Sequence, residues 1–396
     1  MSDQEPVNIH DEAIRRAEEI GQAAALEVRE AEREGCFSPA LRDMVHRAEF
    51  HKMLRPRRYG GYAIGPYTFS EIVRTVARHN ASAAWLVYFT ILHEQWVAYL
   101  PPEGRQEIYD SDGFTADIFF PVGKVDYVDG GVSLSGQWNF GSGVLWDEWI
   151  GLGAIVEVPG FGGPQPCLVT VNTKEIEIVR NWDPFGLRAT GSHGVKVESV
   201  FVPWRRVLPL GHVKQKNEPL GGDWAREDAP IYRMPFMPSF CLGFSAISVG
   251  VAERVVKDTK RRIHERQRVL YGVKDWESPV TQRNVGDLII KYDGIEALHN
   301  RYIQQLEDWA AANTPVVSEA ERMRPSAWRA SVCHQASELA LQALEMMGGS
   351  AAYTGDPLEV AARDLFMLRI HVTQLYDDVV LGFGRAEYGL SGHPLV

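Results

Sequence analysis

Cysteine is scarce in this sequence, and its spacing offers no pairs. The 396 residues include four cysteines, none in a CxxC pattern: Cys36, Cys167, Cys241 and Cys333. Zinc sites and the disulfide frameworks of small secreted domains both rely on closely spaced cysteines. We therefore expect no metal site and no disulfide framework. Buried thiols in a reducing compartment are expected instead, which favours a cytoplasmic location.

A surplus of basic residues and a long apolar run are also missing. Lysine and arginine number 41 against 52 aspartates and glutamates, so the formal net charge is −11. Nucleic-acid binding depends on neutralising phosphates, and this balance argues against it. Residues 1–34 contain no apolar signal core, and we find no stretch of about 18 apolar residues of the kind a membrane span requires. The sequence predicts neither a nucleic-acid partner nor a membrane.

Three motifs of nucleotide and metal enzymes do not occur. There is no GxGxxG pattern after a strand, no Walker A sequence and no HExxH. The first absence excludes the usual dinucleotide-binding fold for a nicotinamide. Hydrophobic residues at 45% and charged residues at 23% are ordinary for a globular protein of this length.

What the sequence does contain is a change in the spacing of its apolar residues, from the helical period to the strand period and back. Apolar residues recur at helical spacing over 11–34 and again over 69–78. Gly35, directly after the first segment, is expected to end its helix. Asn80 can cap a third helix, which is predicted to run through Trp85 to Leu100 and to end at the following prolines. The first 110 residues or so are therefore predicted to be helical.

The alternation typical of strands begins after residue 112. Apolar and polar residues alternate over 132–140, which indicates a half-buried strand. Further β-rich runs lie at 149–158, 167–171, 176–179 and 195–202. These runs predict a small antiparallel β domain over residues 112–212.

The helical period returns after residue 238. Four long helices are predicted at 240–266, 282–311, 326–347 and 358–381. Their order favours an up-and-down bundle. The predicted fold is α+β, mainly α, with an N-terminal helical domain (1–111), a central antiparallel β domain (112–212) and a C-terminal four-helix bundle with a tail (213–396).

Six short segments carry a resemblance to a known family. They are Tyr59-Gly60-Gly61, Trp138–Gly143, Gly186–Ser192, Ala229–Pro235, Arg363–His371 and Phe383–Leu390. In this order and spacing they resemble the flavin-contacting segments of the acyl-CoA dehydrogenase superfamily, whose β domain is a barrel. In the dehydrogenases a Tyr-Glu pair follows the Arg-Asp helix, and the Glu is often the catalytic base. Here the pair is His371-Val372.

A histidine at this position resembles the oxygenase components of two-component flavin monooxygenases. That branch includes the hydroxylases of p-hydroxyphenylacetate and of phenolic steroids. Dibenzothiophene monooxygenase and the nitrososynthases share the fold. The resemblance implies reduced FMN or FAD supplied by a separate NAD(P)H-dependent flavin reductase, and O2. A C4a-hydroperoxide would then hydroxylate a small phenol- or indole-type substrate. It also implies a homotetramer.

Three alternatives remain open at this stage. N- or S-oxygenation uses the same flavin chemistry. An acyl-CoA dehydrogenase is less favoured, because neither Val372 nor the segment near Met237-Pro238 supplies a carboxylate. A non-catalytic flavin-binding or nucleic-acid-binding relative would need a basic face.

The resemblance implies three catalytic residues. His371 is the expected base or orienting group, since the pKa of histidine lies near neutrality. Ser142 is expected at the flavin N5 edge, because a hydroxyl both donates and accepts. His93 is expected to contact the substrate. Each could instead be structural, as a packing histidine, a turn serine or a satisfied helix histidine.

The resemblance also implies residues that bind the cofactor. Two departures from the phenol hydroxylases, Gly141 and Trp146, suggest a bulkier or more apolar substrate ring. Arg266, Gly348 and Gly349 are expected at the phosphate or adenine end, reaching from a neighbouring subunit. The expected contacts of the flavin ring and its arm are Trp138, Phe140, Ser142, Arg188, Thr190 and Ser192.

Overall fold

The computed structural model describes residues 8–222, 224–268 and 272–392. Its helices are α1 (Ile9–Glu34), α2 (Pro39–Arg47), α3 (Pro66–Ala77), α4 (Ala81–Leu92), α5 (Glu94–Val97), α6 (Pro102–Asp110), α7 (Leu210–Lys216), α8 (Ala225–Asp228), α9 (Phe236–Phe240), α10 (Leu242–Glu265), α11 (Pro279–Ala312), α12 (Glu319–Met347), α13 (Pro357–Arg369) and α14 (Tyr376–Glu387). Its strands are β1 (Thr115–Val128), β2 (Gly131–Trp138), β3 (Trp149–Val156), β4 (Gln165–Asn172), β5 (Glu177–Val179), β6 (Gly194–Pro203), β7 (Val207–Pro209), β8 (Gln267–Arg268) and β9 (Val273–Lys274).

The first helices follow the sequence pattern closely. The side chain of Asn8 caps α1, and Gly35 ends it in the left-handed region with φ 74°, which glycine adopts without a Cβ clash. Asn80 caps α4 by accepting a hydrogen bond from the backbone N–H of Ala83. One boundary is wrong: the helix predicted to reach Leu100 is interrupted at His93, and the short α5 follows.

The central sheet is built around its longest strand, which the sequence pattern did not single out. The strand order is β5-β6-β2-β1-β3-β4-β7. The first part of β1 pairs with β3 and its last part, Lys124–Val128, pairs with β2. The register shifts between Ile118 and Gly123. A Cβ at Gly123 would lie 2.6 Å from the indole of Trp138, so only glycine lets the strand cross the core there.

One strand pair departs from the antiparallel prediction. β1 and β3 run parallel, whereas the other pairs in this sheet are antiparallel. The reason is connectivity: β1 reaches β3 through β2 and the segment 139–148, which acts as the crossover that a parallel pair needs. The order has β5 and β7 at its ends, so closure into a barrel is not shown.

The C-terminal helices form the bundle, with one helix more than the four that the sequence pattern predicted. α10, α11 and α12 match three predicted helices within a few residues, α12 starting seven residues early. The fourth predicted helix, 358–381, is two helices, because α13 ends at Arg369 and α14 begins at Tyr376. His371 therefore lies in a break between helices. Arg329 of α12 holds the break by donating to the carbonyl of Thr373 (3.2 Å) and to the side chain of Gln374 (3.0 Å).

One helical segment is long and apolar enough to cross a membrane. It covers Phe236–Glu265, and 89% of its most apolar window is buried inside the protein. This segment contains α10, which packs against α3, α11, α12 and α13. By length and composition it passes the test for a span, and by position it is a core helix of the bundle.

The mainly helical α+β fold is thus confirmed, with helices before and after a central sheet. The division into domains at residues 111/112 and 212/213 stays a prediction. The four cysteines are free thiols.

Candidate active site

The turn after β2 buries a serine hydroxyl. The chain turns through two residues with positive φ, Phe140 (69°) and Gly143 (86°). A backbone hydrogen bond of 2.9 Å from the N–H of Gly141 to the carbonyl of His193 ties the turn to the loop before β6. Ser142 lies inside this turn and is 7% exposed. The two segments that the sequence singled out are therefore in direct contact.

The Ser142 hydroxyl is one member of a continuous hydrogen-bonded chain. Its Oγ lies 3.0 Å from Oγ of Ser192, which lies 2.8 Å from Oγ1 of Thr190. Thr190 donates to the carbonyl of Leu187 at 3.0 Å. At the other end, the indole N–H of Trp85 donates to Ser142 at 2.9 Å. Three predicted site residues are thus brought together.

This chain has a fixed direction. A carbonyl oxygen only accepts and an indole N–H only donates, and each hydroxyl has one hydrogen to give. Since Thr190 donates to Leu187, Ser192 donates to Thr190 and Ser142 donates to Ser192. Ser142 also accepts from Trp85, so its oxygen keeps one free acceptor position. The residue can accept a further hydrogen bond and cannot donate one.

The loop that carries these hydroxyls is fastened by the Arg-Asp pair of α13. The carboxylate of Asp364 accepts a 2.7 Å hydrogen bond from the backbone N–H of Leu187. Burial raises the pKa of Asp364 to about 7, against the opposing effect of Arg363. Arg363 is held by Glu32 of α1 at 2.6 Å. Gly186 packs so closely on this helix that a Cβ would lie 2.4 Å from the carbonyl of Arg363. The motif is a structural latch for the loop.

Trp85 connects the serine to an aromatic wall. Its ring centroid lies 5.8 Å from that of His371, 5.4 Å from Phe244 and 4.9 Å from Phe89. The rings of Phe244 and His371 are 4.6 Å apart. These residues come from α4, α10 and the α13–α14 break. The indole of Trp85 therefore contacts both Ser142 and His371.

The protonation of His371 is set by its neighbour. The backbone N–H of Thr373 donates to Nδ1 of His371 at 3.3 Å, and the hydroxyl of Thr373 lies 3.0 Å from the same atom. An amide N–H can only donate, so Nδ1 is an acceptor and a neutral imidazole carries its hydrogen on Nε2. Burial, and then the charge of Arg329, lower the pKa of His371 to about 4. The half-buried ring is neutral at physiological pH.

Arg329 supplies this charge from a site with no acidic partner. The residue is fully buried on α12, and within the described ranges no ion pair joins it to a carboxylate. Its bonds go to the neutral groups of Thr373 and Gln374. A buried cation that faces only neutral groups is unusual, because the loss of hydration is not offset by an anion. Arg329 shapes the break and adds to the effect of burial in lowering the pKa of His371.

His93 lies at the far end of the aromatic wall. It follows Phe89 by four residues, and the two rings are 5.0 Å apart. Its Nδ1 contacts the carbonyl oxygen of Thr115 on β1. Burial lowers the pKa of His93 to about 3. His93 and His371 are therefore joined through Phe89 and Trp85.

Comparison with known proteins finds one domain model that matches part of the chain and relatives that match most of it. Residues 242–374 match the model of the acyl-CoA dehydrogenase C-terminal domain. The chain is 26% identical over 344 residues to a flavin-dependent monooxygenase, oxygenase subunit HsaA, from Rhodococcus jostii, covering 86% of this chain and 89% of the relative. The chain is a homologue of flavin-dependent oxygenase subunits. The resemblance found in the sequence is confirmed.

Solved structures show the same fold. XiaF from Streptomyces, in complex with FADH2 and glycerol, has a TM-score of 0.88 at 21% identity, covering 97% of this chain and 96% of that one. TdsC from Paenibacillus, in complex with FMN and indole, has a TM-score of 0.79 at 20% identity, covering 95% and 97%. At these sequence identities the two structures show only that this chain has the same fold.

Three predicted ring contacts occupy different surroundings in this oxygenase homologue. Trp138 is buried in the core of the sheet, and its indole donates to the carbonyl of Gly153 at 3.0 Å. Arg188 pairs with Asp183 at 2.9 Å within its own loop. Phe140 is 70% exposed and faces outward beside Ser142. Of these three, Phe140 has a side chain free to contact a flat ligand.

The predicted phosphate-end residues lie far from the serine. Arg266 follows Phe244 by 22 residues along and just beyond α10, which corresponds to about 33 Å at 1.5 Å per residue. Its guanidinium donates to the carbonyl of Met347 at 2.8 Å, which places it beside Gly348 and Gly349. These glycines are exposed. Within one chain they do not meet the hydroxyl chain, so only a neighbouring subunit could bring them there.

Sequence reasoning missed three residues of this site. The sequence pattern places Trp85 in a helix but does not single out Arg329 or Asp117, the acid on β1 whose Oδ2 lies 3.3 Å from Nε2 of His93. The available signal for Trp85 was its spacing, because Trp85, Phe89 and His93 recur every four residues and so share one helix face. No sequence signal marks Arg329, whose partners lie about 45 residues further along the chain.

One grouping of metal-ligand type occurs in the described part of the chain. Ligand atoms of His46, His51 and Asp112 lie within 4.8 Å of one another. The ammonium of Lys52 lies 3.1 Å from the same carboxylate, and Arg55 lies 3.8 Å from it. Because these two cations already compensate Asp112, the grouping is accounted for as an ion-pair network.

Proposed function

We propose that this chain is the oxygenase component of a two-component flavin monooxygenase that hydroxylates an aromatic or heteroaromatic substrate. The observation that carries the proposal is the directed hydroxyl chain that ends on Ser142, beside the indole of Trp85 that also contacts His371. The 26% identity to an oxygenase subunit over most of both chains supports it.

The residues present fit a reduced flavin. The free acceptor position on Ser142 suits the N5–H that reduced flavin carries and oxidised flavin lacks. Phe140 and the neighbouring Trp182, whose rings are 6.2 Å apart, offer apolar faces at the outer edge of this turn. Bound reduced flavin activates O2 and supplies the oxygen atom that enters the substrate ring. FMN and FAD both meet these requirements.

The chain's own residues control water and protons around this chemistry. Trp85, Phe89 and Phe244 line the wall with apolar rings and exclude water, which otherwise diverts activated oxygen to hydrogen peroxide. His371 presents an Nε2–H, which can donate a hydrogen bond to the substrate or to the activated oxygen and so orient it. To act as a base it must first move its hydrogen to Nδ1, which Thr373 disfavours.

Transfer of labelled oxygen tests the function directly. Chemically reduced FMN or FAD is bound to the chain without oxygen, and 18O2 is then admitted together with indole or phenol. One 18O atom per hydroxylated product, found by mass spectrometry and only when the chain is present, is the expected result. Quantitative recovery of the oxygen as hydrogen peroxide with every ring compound would contradict the proposal.

The products also separate the alternatives. N- or S-oxygenation places the label on a heteroatom of the product. An acyl-CoA dehydrogenase needs a carboxylate base, and Val372 at the expected position is 51% exposed and apolar. The carboxyl of Asp117 lies elsewhere, on β1 and 3.3 Å from Nε2 of His93, and burial raises its pKa well above the usual range. Reduction of bound flavin by an acyl-CoA would favour the dehydrogenase.

The reductase and the assembly belong to the same proposal. A separate NAD(P)H-dependent flavin reductase follows from the absence of a GxGxxG motif, and the chain alone should not oxidise NADH in the presence of free flavin. Exposed apolar side chains on the bundle, Ile290, Leu381 and Tyr388, support a homotetramer. Arg266, Gly348 and Gly349 would then serve a flavin in the neighbouring subunit. Native mass measurement tests the assembly, and cell fractionation tests the cytoplasmic location.

A further inference from the structure

The far end of the aromatic wall carries a pair of polar side chains that lack hydrogen-bond partners. Nε2 of His93 lies 3.3 Å from Oδ2 of Asp117, and the two side chains are 1% and 7% exposed. Among the described residues neither atom has a hydrogen-bond partner. Most buried polar atoms in folded proteins are hydrogen-bonded, so such a pair calls for a ligand.

The pair can offer acceptors to that ligand. Nδ1 of His93 faces the carbonyl of Thr115, and a carbonyl only accepts. The hydrogen of the neutral ring is therefore on Nδ1, and Nε2 presents a lone pair. Oδ2 of Asp117 lies beside it, and no lysine or arginine of the described ranges lies within 4 Å of this carboxyl. A group that donates a hydrogen bond is the chemical complement.

The neighbourhood of the pair contains another acceptor and leads to the aromatic wall. One further unpartnered buried acceptor, Oε1 of Gln95, lies two residues along the chain from His93. The ring of His93 lies 5.0 Å from Phe89, Phe89 lies 4.9 Å from Trp85, and Trp85 lies 5.8 Å from His371. The aromatic wall therefore connects the pair to His371.

We propose that Asp117, together with His93, selects substrates by a hydrogen-bond donor on the aromatic ring. The donor is a ring N–H or a phenolic O–H, and its hydrogen is shared by the two adjacent acceptors, Nε2 of His93 and the carboxyl of Asp117. This inference rests on the proposed function, because the aromatic wall links the pair to Ser142 and His371. It assigns the residue that distinguishes an indole from a benzofuran, two rings of nearly equal shape.

Binding measurements test the selection without relying on turnover. The full chain with bound reduced flavin is titrated, in the absence of oxygen, with two matched pairs: indole against benzofuran, and phenol against anisole. Wild type should bind each donor about 10-fold more tightly than its partner, the ratio expected for one neutral hydrogen bond. In Asp117→Leu the ratio should fall to near one while the affinity for benzofuran stays the same.

Two variants make the result specific. Asp147→Asn changes another buried carboxyl with an unpartnered oxygen and should leave the indole-to-benzofuran ratio at the wild-type value. Asp117→Asn retains polar atoms at the site and should keep part of the preference. Thermal unfolding of each variant shows whether the fold is intact.

The outcomes separate the two proposals. Equal binding of both members of each pair by wild type, a preference that survives Asp117→Leu, or no binding of any of the four rings overturns the selection by Asp117. If the ratio behaves as expected but no 18O enters a product, the donor site stands and the oxygenase proposal fails. If 18O enters the product but no donor is preferred, the oxygenase proposal stands and the donor site fails, because the pair then binds only water.

Discussion

His93 and His371 are two neutral histidines at opposite ends of one aromatic wall, and their hydrogens are on opposite nitrogens. In His93 the carbonyl of Thr115 draws the hydrogen to Nδ1 and leaves Nε2 as an acceptor. In His371 the N–H of Thr373 occupies Nδ1 and leaves the hydrogen on Nε2. A single backbone group thus decides whether the same side chain accepts or donates.

The electrostatic surroundings of the two histidines differ in the same sense. Behind His371 stands Arg329, whose charge helps to lower the pKa of the ring to about 4. Beside His93 stands Asp117, and burial alone lowers the pKa of His93 to about 3. The donor end is backed by a cation and the acceptor end by a carboxyl. A substrate held between them can be oriented by both.

The largest effect is expected from removing the donor end. His371→Ala should reduce the product formed per O2 consumed by roughly 100-fold, the scale of a positioned proton-transfer group. Binding of reduced flavin should change little, because Ser142 is untouched. Oxygen uptake measured alongside product and hydrogen peroxide gives the coupling ratio. His264→Ala, an exposed histidine on α10, is the matched control, and hydroxylation by His371→Ala at the wild-type rate would remove His371 from the mechanism.

A smaller loss is expected from Arg329→Met. The chain between α13 and α14 loses both of its guanidinium bonds, so His371 moves and product formation falls by about 10-fold. The pKa of His371 should rise towards 6.5, visible by NMR and as a new inflection in the pH profile of hydroxylation. Arg329→Lys keeps the charge and should keep the low pKa. An unchanged pKa in Arg329→Met would show that burial alone sets it.

The tautomers themselves can be observed. In 15N spectra of imidazole-labelled protein, His93 should carry its hydrogen on Nδ1 and His371 on Nε2, and neither should titrate between pH 5.5 and 8. Because both pKa values are lowered from 6.5, the unfolded chain binds protons below that pH that the folded chain does not. Their stabilising contribution is complete above pH 6.5 and is lost as the pH falls, by at most about 1.4 kcal/mol per unit for each. The same tautomer on both rings would end the comparison.

The smallest effect is expected where the two ends are joined. Trp85→Phe keeps an aromatic ring in the wall but removes the donor to Ser142, so unfolding should become easier by about 1 kcal/mol. Both histidine tautomers should persist, since neither depends on Trp85. Chemical denaturation measures the change, with the surface variant Trp276→Phe as control. A change in either tautomer would mean that the wall couples the two ends.

The sequence predicted well those features that depend on local chemistry. The cap at Asn80 and the glycine stop at Gly35 follow from single residues and their neighbours. Ser142, Thr190 and Ser192 were expected at one site and form one hydrogen-bonded chain, although their hydroxyls bond to one another and to Leu187. Turn chemistry and short-range spacing were sufficient for these predictions.

Features that depend on distant partners could not be predicted. The helical period runs without interruption through 358–381, and the break at His371 is held by Arg329 from another helix. The parallel pairing of β1 with β3 follows from the path of the chain between them. Asp117 is significant because its buried Oδ2 has no hydrogen-bond partner among the described residues. A missing hydrogen bond cannot be recognised from a pattern of residue types.

The latch between α13 and the loop before β6 ties the site to both ends of the polypeptide. The bond from Leu187 to Asp364 spans 177 residues, and that from Arg363 to Glu32 spans 331. Contacts of such long sequence separation form late, because the intervening chain must be ordered first. During synthesis the hydroxyl-bearing loop therefore leaves the ribosome without its fastening, and the nascent protein acquires a cofactor-competent shape when its last helices arrive.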